Sequence, residues 1–286
     1  MWKLTRPSLV SVLCQALIFV FASMLLFCSL VARQAIAAPQ AVVRDPQALT
    51  LISSSLKALT GQAAVNDATL QATASYVAGS DQESGAATLT ALGNQESLVQ
   101  LNLSSGSRQE IRNGPAGAWS GPDGTAHSMA IHNCWTDASW FFPILTLEAV
   151  SANPQVSVSY LGLDTSKGTT LLHLRVASVL SEQDPTVTAL VLGLSTMDIY
   201  LDPQSFLPLV LDFNVHPDAG IDAYVPVEIR FGNFQTLSGA LVPFRIQKYL
   251  QGSMLLDLTV MNVTVNSGVP SSAFTLPAAS AAGGAR

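Results

Sequence analysis

Cysteine is nearly missing. Of three in 286 residues, Cys14 and Cys28 lie in an apolar N-terminal stretch, which leaves Cys134. A chain with one thiol beyond that stretch has no internal disulfide, so packing must supply its stability; Cys134 reads as a small buried hydrophobe. Charge is also scarce, 11% of residues against 49% hydrophobic. That balance suits strands with Thr, Ser and Gln outside and aliphatic residues inside, with some apolar surface to spare. Basic residues are the scarcer sign, 13 against 19 acids. An acidic fold is a poor match for phosphate backbones, which excludes nucleic acid as a partner and disfavours an anionic membrane surface.

Reaction signatures are missing too. The sequence has no G-x-S-x-G elbow, no H-E-x-x-H, no P-loop and no dinucleotide glycine pattern. Ser54 and Lys57 fit S-x-x-K, but no S-D-N or K-T-G accompanies them. A hydrolase would need a Ser or Cys to meet one of the four histidines, His127, His132, His173 and His216. His132-x-Cys134 fits one strand face, yet only Asp137 stands near enough to extend it, so no metal site and no cofactor are expected. Asp198 with Asp202, and Asp218 with Asp222, read as solvated turn carboxylates.

What is present begins with an address. Lys3 and Arg6 precede an apolar run over residues 9–32, and Ala35-Ile36-Ala37 offers the small residues that signal peptidase needs. Residues 1–37 therefore read as a secretory signal peptide. The run is also long enough to span a bilayer, so an uncleaved anchor is the alternative, and contact with the inner membrane is expected only in that case. Cleavage removes three cations and no acid, moving the formal net charge from -6 to -9. The product is exported, periplasmic or secreted.

Residues 38–44 read as a flexible lead, 45–277 as a single domain and 278–286 as a disordered tail of small residues. Asp45-Pro46 marks a helix start, Leu49, Ile52, Leu56 and Leu59 keep helical spacing, and Gly61 ends the helix. Period-two alternation then predicts strands over 68–77, 87–92, 98–103 and 108–112, with a polar turn over 79–85 and a loop or short edge hairpin over 113–124. An insertion rich in aromatics follows, read as two short helices near 137–142 and 143–149. Strands resume over 156–163 and 169–176, residues 182–185 form a polar break, and a long meander fills 196–277.

A sheet with one dry face must cover it. The candidates for that role are Trp135, Trp140, Phe141, Phe142 and Leu145 of the insertion. Large rings give much apolar area and can be displaced by an acyl chain; alternatively they only fill the space between helices and sheet.

Three stretches carry a family resemblance. "MDIYLDPQSFLPLVLDF" looks like paired strands with a Pro turn and a Leu-Pro opening, "GALVPFRIQKYLQG" like a strand entered through Val-Pro, and "LTVMNVTVNSGVPSSAFTLP" like a closing strand with its final Phe and Pro. Over residues 196–277 the chain resembles the periplasmic lipoprotein-carrier superfamily (LolA/LolB-like), and its first half matches in element order. The resemblance implies a mostly β fold with α, an unclosed antiparallel half-barrel with helices covering the concave face. It also implies a lipid or an acylated lipoprotein as partner and no enzymatic activity. An exported structural or interaction protein with a self-plugged groove is the alternative.

Overall fold

The computed structural model describes residues 41–61, 63–180, 184–237 and 239–277. The expected signal segment, residues 38–40 of the expected lead and the expected tail lie outside them.

Thirteen strands form one antiparallel, unclosed sheet. They are β1 (Asp67–Ala78), β2 (Asp81–Leu92), β3 (Glu96–Leu103), β4 (Gly106–Asn113), β5 (Ala116–Ser120), β6 (Ala126–Ser128), β7 (Val156–Asp164), β8 (Leu171–Ser178), β9 (Met197–Leu201), β10 (Pro208–Val215), β11 (Val225–Leu237), β12 (Ala240–Leu250) and β13 (Ser253–Val265). The spatial order is β6-β5-β4-β3-β2-β1-β13-β12-β11-β10-β9-β8-β7. Two meanders thus run outward from one central pairing, β1 with β13, in which Leu70 faces Val263 and Ala74 faces Leu258. The helices are α1 (Pro46–Thr60), α2 (Pro143–Ala152) and α3 (Pro185–Ser195).

The sheet curls into a trough. In the strand order β4 and β10 stand seven spacings apart, roughly 34 Å on a flat sheet. Yet Glu110 and Arg112 of β4 line the same 160 Å³ cavity as Phe213 and Val215 of β10. A sheet this wide is expected to coil under its own twist. Its inner face carries Leu70, Ala72, Leu89, Ile229, Ile246 and Leu258, all without exposure, and α1 and α2 cover them with Ile52, Ile144 and Leu147. Each such large side chain contributes about 1.5–3 kcal/mol on burial.

Three local predictions need correction. Residues 81–85 of the expected polar turn extend β2, and Gly79-Ser80 alone makes the hairpin turn. This end of the hairpin is largely exposed on both faces, so its polar composition carries no alternation to read. The expected helix at 137–142 is a series of turns preceded by a 3-10 helix, Ile131–Trp135. Asp137 Oδ1 accepts from the Ser139 backbone N–H and hydroxyl, both at 2.7 Å, and this local capture competes with helix. Pro143 then keeps Phe142 out of the helical region (φ -134°, ψ 83°) and starts α2 at its first position. The third correction is α3, which starts at the end of the expected polar break and fills residues for which the sequence pattern predicts no element. Asp184 caps it, accepting from Thr186 N at 2.8 Å, and Pro185 opens it, the same Asp-Pro pair that starts α1.

The end of the expected flexible lead is held. The backbone of Val43 and Asp45 brackets Val158 on edge strand β7, with bonds of 2.7 and 3.0 Å. Arg44 Nη1 donates to the carbonyls of Val150, Asn153 and Val156, and Nη2 donates to Ser151 O, at 2.9–3.1 Å. The guanidinium therefore caps the C-terminus of α2, where carbonyls lack helical partners and the dipole favours a cation. At the other end of the chain, Phe274 is fully buried and the short helix Ser271–Phe274 packs on β3 and β4, tied by Asn113 Nδ2 to Phe274 O at 3.3 Å. Arg44→Ala is expected to lower the free energy of unfolding by about 2 kcal/mol, with Arg44→Lys recovering only part of it, because an ammonium cannot span four carbonyls. Urea unfolding reads this directly, and an unchanged midpoint in Arg44→Ala would remove the capping role.

Candidate functional site

The segment between β6 and β7 joins the two opposite edges of the sheet, so it crosses the trough. Buried polar contacts tie it down. Arg112 on β4 donates to Thr136 O at 3.0 Å and Thr136 Oγ1 at 3.2 Å. Ala138 N donates to Asn94 O in the β2–β3 turn at 3.1 Å. Asn133 and His216 exchange two bonds of 2.8 Å, one to the His216 carbonyl and one from its N–H. Within the segment, Asp137, Ser139 and Thr146 form a small polar knot, and burial pushes the Asp137 carboxyl up from its ordinary value against the pull of the Ser139 bonds.

The five aromatic and aliphatic candidates divide. Phe141, Phe142 and Leu145 are buried to within 1% and line none of the cavities described here; they fill the trough. Trp135 is half-buried and lines a 270 Å³ cavity with Arg112, Cys134, Val156, Met197 and Phe213. Trp140, only 4% exposed, lines two further cavities, of 300 Å³ and 160 Å³. The larger has apolar walls of Val99, Leu101, Leu255 and Leu256, with Tyr76 and Trp119 at its sides and Arg108, Glu110 and Lys248 among them. Glu110, Trp119, Trp140 and Lys248 are common to both.

Lys248 was not anticipated. It stands in β12 in register with the inward-facing Val242 and Ile246, so the alternation of the strand already placed it on the dry face. It is half-buried, with Nζ 4.4 Å from the centroid of the Trp140 ring, a cation–π contact. Among the described residues it has no hydrogen bond and no carboxylate within 4.0 Å. Burial pushes its pKa below the ordinary lysine value; Glu110 pulls it back up, and Arg112 pushes it down further. Around it, the ring N–H of Trp140 and the Nε–H groups of Arg108 and Arg112 are buried without an acceptor among the described residues. Arg108 is otherwise paired: its Nη2 lies 2.9 Å from Glu83 and its guanidinium 4.8 Å from the Tyr76 ring centroid. Hydrogen bonds from Ser105 and Arg108 hold that Glu83 carboxyl down at about 2.

The other sequence candidates are dispersed. His127 stacks on Trp119 with centroids 4.3 Å apart, and His132 Nε2 lies 3.1 Å from Pro217 O. His132 and Cys134 sit in the 3-10 helix, not on a strand face, and Cys134 Sγ donates to Ala130 O at 3.8 Å. Burial pushes the Cys134 thiol up from its ordinary value, away from nucleophilic use. No group of three His, Cys, Asp or Glu suited to a metal occurs among the described residues, and no Ser or Cys side chain there bonds a histidine ring. Asp198, read as a turn residue, lies in β9 and takes both oxygens to Arg175, at 2.7 and 2.9 Å. It belongs to a 600 Å³ depression whose charges are already matched, as Lys167 is to Glu228 at 2.7 Å.

A lysine whose folded pKa lies below its unfolded value weakens the fold while it is charged in both states. As pH rises from the folded pKa towards about 10.4, the unfolded chain holds the extra proton and stability returns. Lys248→Met is therefore expected to raise the urea midpoint at neutral pH, and its lead over wild type should shrink as the pH approaches 10. A lead that stays constant with pH assigns the gain to methionine packing alone.

No protein-family model matches the sequence, and no curated protein matches it. Among solved structures it is similar to a putative outer membrane lipoprotein-sorting protein domain from Vibrio parahaemolyticus, at 11% identity over 80% of this chain and 96% of that one, TM-score 0.49. It is similar to a LolA superfamily protein from Nitrosomonas europaea at 12% identity, over 80% of this chain and 97% of that one, TM-score 0.49. The lipoprotein LppX from Mycobacterium tuberculosis aligns at 13% identity over 80% of this chain and all (100%) of that one, TM-score 0.28.

Proposed function

We propose that the protein is an exported, non-enzymatic carrier that holds an acyl chain, of a lipid or of an acylated lipoprotein, in the trough beside Trp140. The observation that carries this reading is the 300 Å³ cavity between the crossing segment and the inner sheet face, walled by Val99, Leu101, Leu255 and Leu256. It reaches the lower end of ligand-site volumes, roughly 300–1,000 Å³, and continues through shared residues into the 160 Å³ cavity. The signal-like residues 1–37 supply the export. No helix among the described residues is long and apolar enough to cross a membrane.

The full burial of Phe141, Phe142 and Ile144 favours a second reading, in which the protein's own side chains are the trough's only contents and the chain acts as a structural or interaction protein. Under the carrier reading those rings are the fixed floor and Trp140 is the movable wall.

Native mass spectrometry after incubation with single-chain lipids, a fatty acid and a lysophospholipid, separates the two. The carrier reading expects one retained acyl-bearing molecule, and Leu101→Phe, which puts a ring into the cavity, is expected to cut retention at least about tenfold at a folding cost of about 1–3 kcal/mol. Trp140→Ser tests the wall itself, at the larger cost of about 3–5 kcal/mol seen for core aromatic truncations. Wild-type protein that retains nothing, while unfolding cooperatively, overturns the carrier reading in favour of the self-filled one.

A further inference from the structure

Lys248 stands at the cavity wall without an ion-pair partner. Lys248 has no acceptor, and the Trp140 Nε1, Arg108 Nε and Arg112 Nε donors have none either among the described residues. All four are donors on residues that line the 300 Å³ or the 160 Å³ cavity, and Lys248 and Trp140 line both. The Trp140, Arg108 and Arg112 nitrogens are closed off from solvent, whereas the half-buried Lys248 ammonium is not and is open to an incoming acceptor. The carboxylates facing the same space are Glu110 in both cavities and Asp218 in the smaller. Neither comes within 4.0 Å of Lys248 or Arg112.

We infer that the trough is selective for a single-chain anionic amphiphile, whose carboxylate or phosphate group accepts from Lys248 beside the Trp140 ring while its chain lies along Val99, Leu101 and Leu256. The inference rests on the proposed carrier function and adds the head group to it. The cation–π contact places the ammonium over the Trp140 ring, so an anion reaching Lys248 comes up against the wall of the chain-binding cavity. Burial already makes the bare ammonium costly, as its lowered pKa records, and an anion beside it relieves that cost. The walls are apolar enough for one chain, and 300 Å³ stands at the lower end of ligand-site volumes, which suits one chain better than two.

The test is calorimetric titration of the full mature chain with three probes of one chain length, dodecanoate, dodecyl phosphate and dodecanol, repeated on Lys248→Met. Wild type is expected to bind at least one of the two anions about tenfold or more tighter than dodecanol, and Lys248→Met to bind all three within about threefold of each other. Whichever anion is preferred names the head group. Dodecanol binding as tightly as both anions, with the same affinities in Lys248→Met, overturns the head-group inference and leaves the carrier reading standing. Failure of all three probes on wild type overturns both. Lys248→Met keeps the length and apolar stem of the side chain, and its unfolding midpoint confirms that a lost preference is not a lost fold.

Discussion

Consecutive strands β6 and β7 lie at opposite edges of the sheet, and that constraint organises the rest of the molecule. On a flat sheet the twelve strand spacings between them amount to roughly 58 Å. The 27 residues that join Ser128 to Val156 include the ten-residue α2 and a series of compact turns. A ten-residue helix advances only about 15 Å, and turns advance less than extended chain, so the segment reaches across only if the sheet curls towards it. Crossing segment and curvature therefore require each other. A roof over the inner face follows from the connectivity, before any side chain is considered, and the Trp- and Phe-bearing residues are where that roof is thickest.

Carrying irregular backbone through an apolar interior exposes the chain to unpaired amides and carbonyls. The buried polar residues of this protein answer that problem. Arg112 meets the Thr136 carbonyl, Asn133 and His216 pair reciprocally, Asp137 gathers Ser139, and Arg44 closes the last turn of α2 from outside. Arg44 also shows why residues just ahead of α1 are not free: the same short stretch pairs with edge strand β7, which otherwise would offer an open row of backbone groups. One arginine thus links the N-terminal lead, the end of the roof and the sheet edge.

Much of this was legible because the inner face is uniformly dry. The period-two pattern located most strands, and Asp45, Pro46 and Gly61 bounded α1 as they do in the structure. Legibility failed where local chemistry overrode pattern or pattern was absent. Residues 81–85 are a strand end wet on both sides, and 137–142 belong to the Asp137 turn. α3 carries Val187 and Leu190 half exposed, so its apolar positions show no single stripe, although Asp184-Pro185 announced it. The aromatic insertion could be placed over the sheet, but the division of its rings into floor and wall depends on which ones meet β3, β4 and β12, a matter of strand pairing that one sequence does not display. Lys248 is the reverse case. Its position in the apolar register of β12 was readable, and a lysine at a dry position is itself a signal.

The unpaired Lys248 ammonium decides how the roof is to be understood. A segment serving only to fill space gains most when its polar atoms are satisfied internally, because each buried donor left without an acceptor costs about 1–3 kcal/mol. Here many satisfied groups fix the crossing segment to its surroundings, while Trp140 Nε1, Arg108 Nε and Arg112 Nε, on residues lining the two cavities, are without a hydrogen-bond partner among the described residues, as are buried atoms of Ser55, Ser97, Asp212 and His216 elsewhere. Burial lowers the Lys248 pKa, so its ammonium bears a cost that no carboxylate within 4.0 Å offsets. An occupant with an apolar body and an acceptor at one end lies against Leu101 and Leu256 and meets the ammonium at Lys248. A purely apolar occupant would leave that ammonium unmet, which is why the chemistry of the head group, more than the volume of the cavity, distinguishes a receptor from a plug.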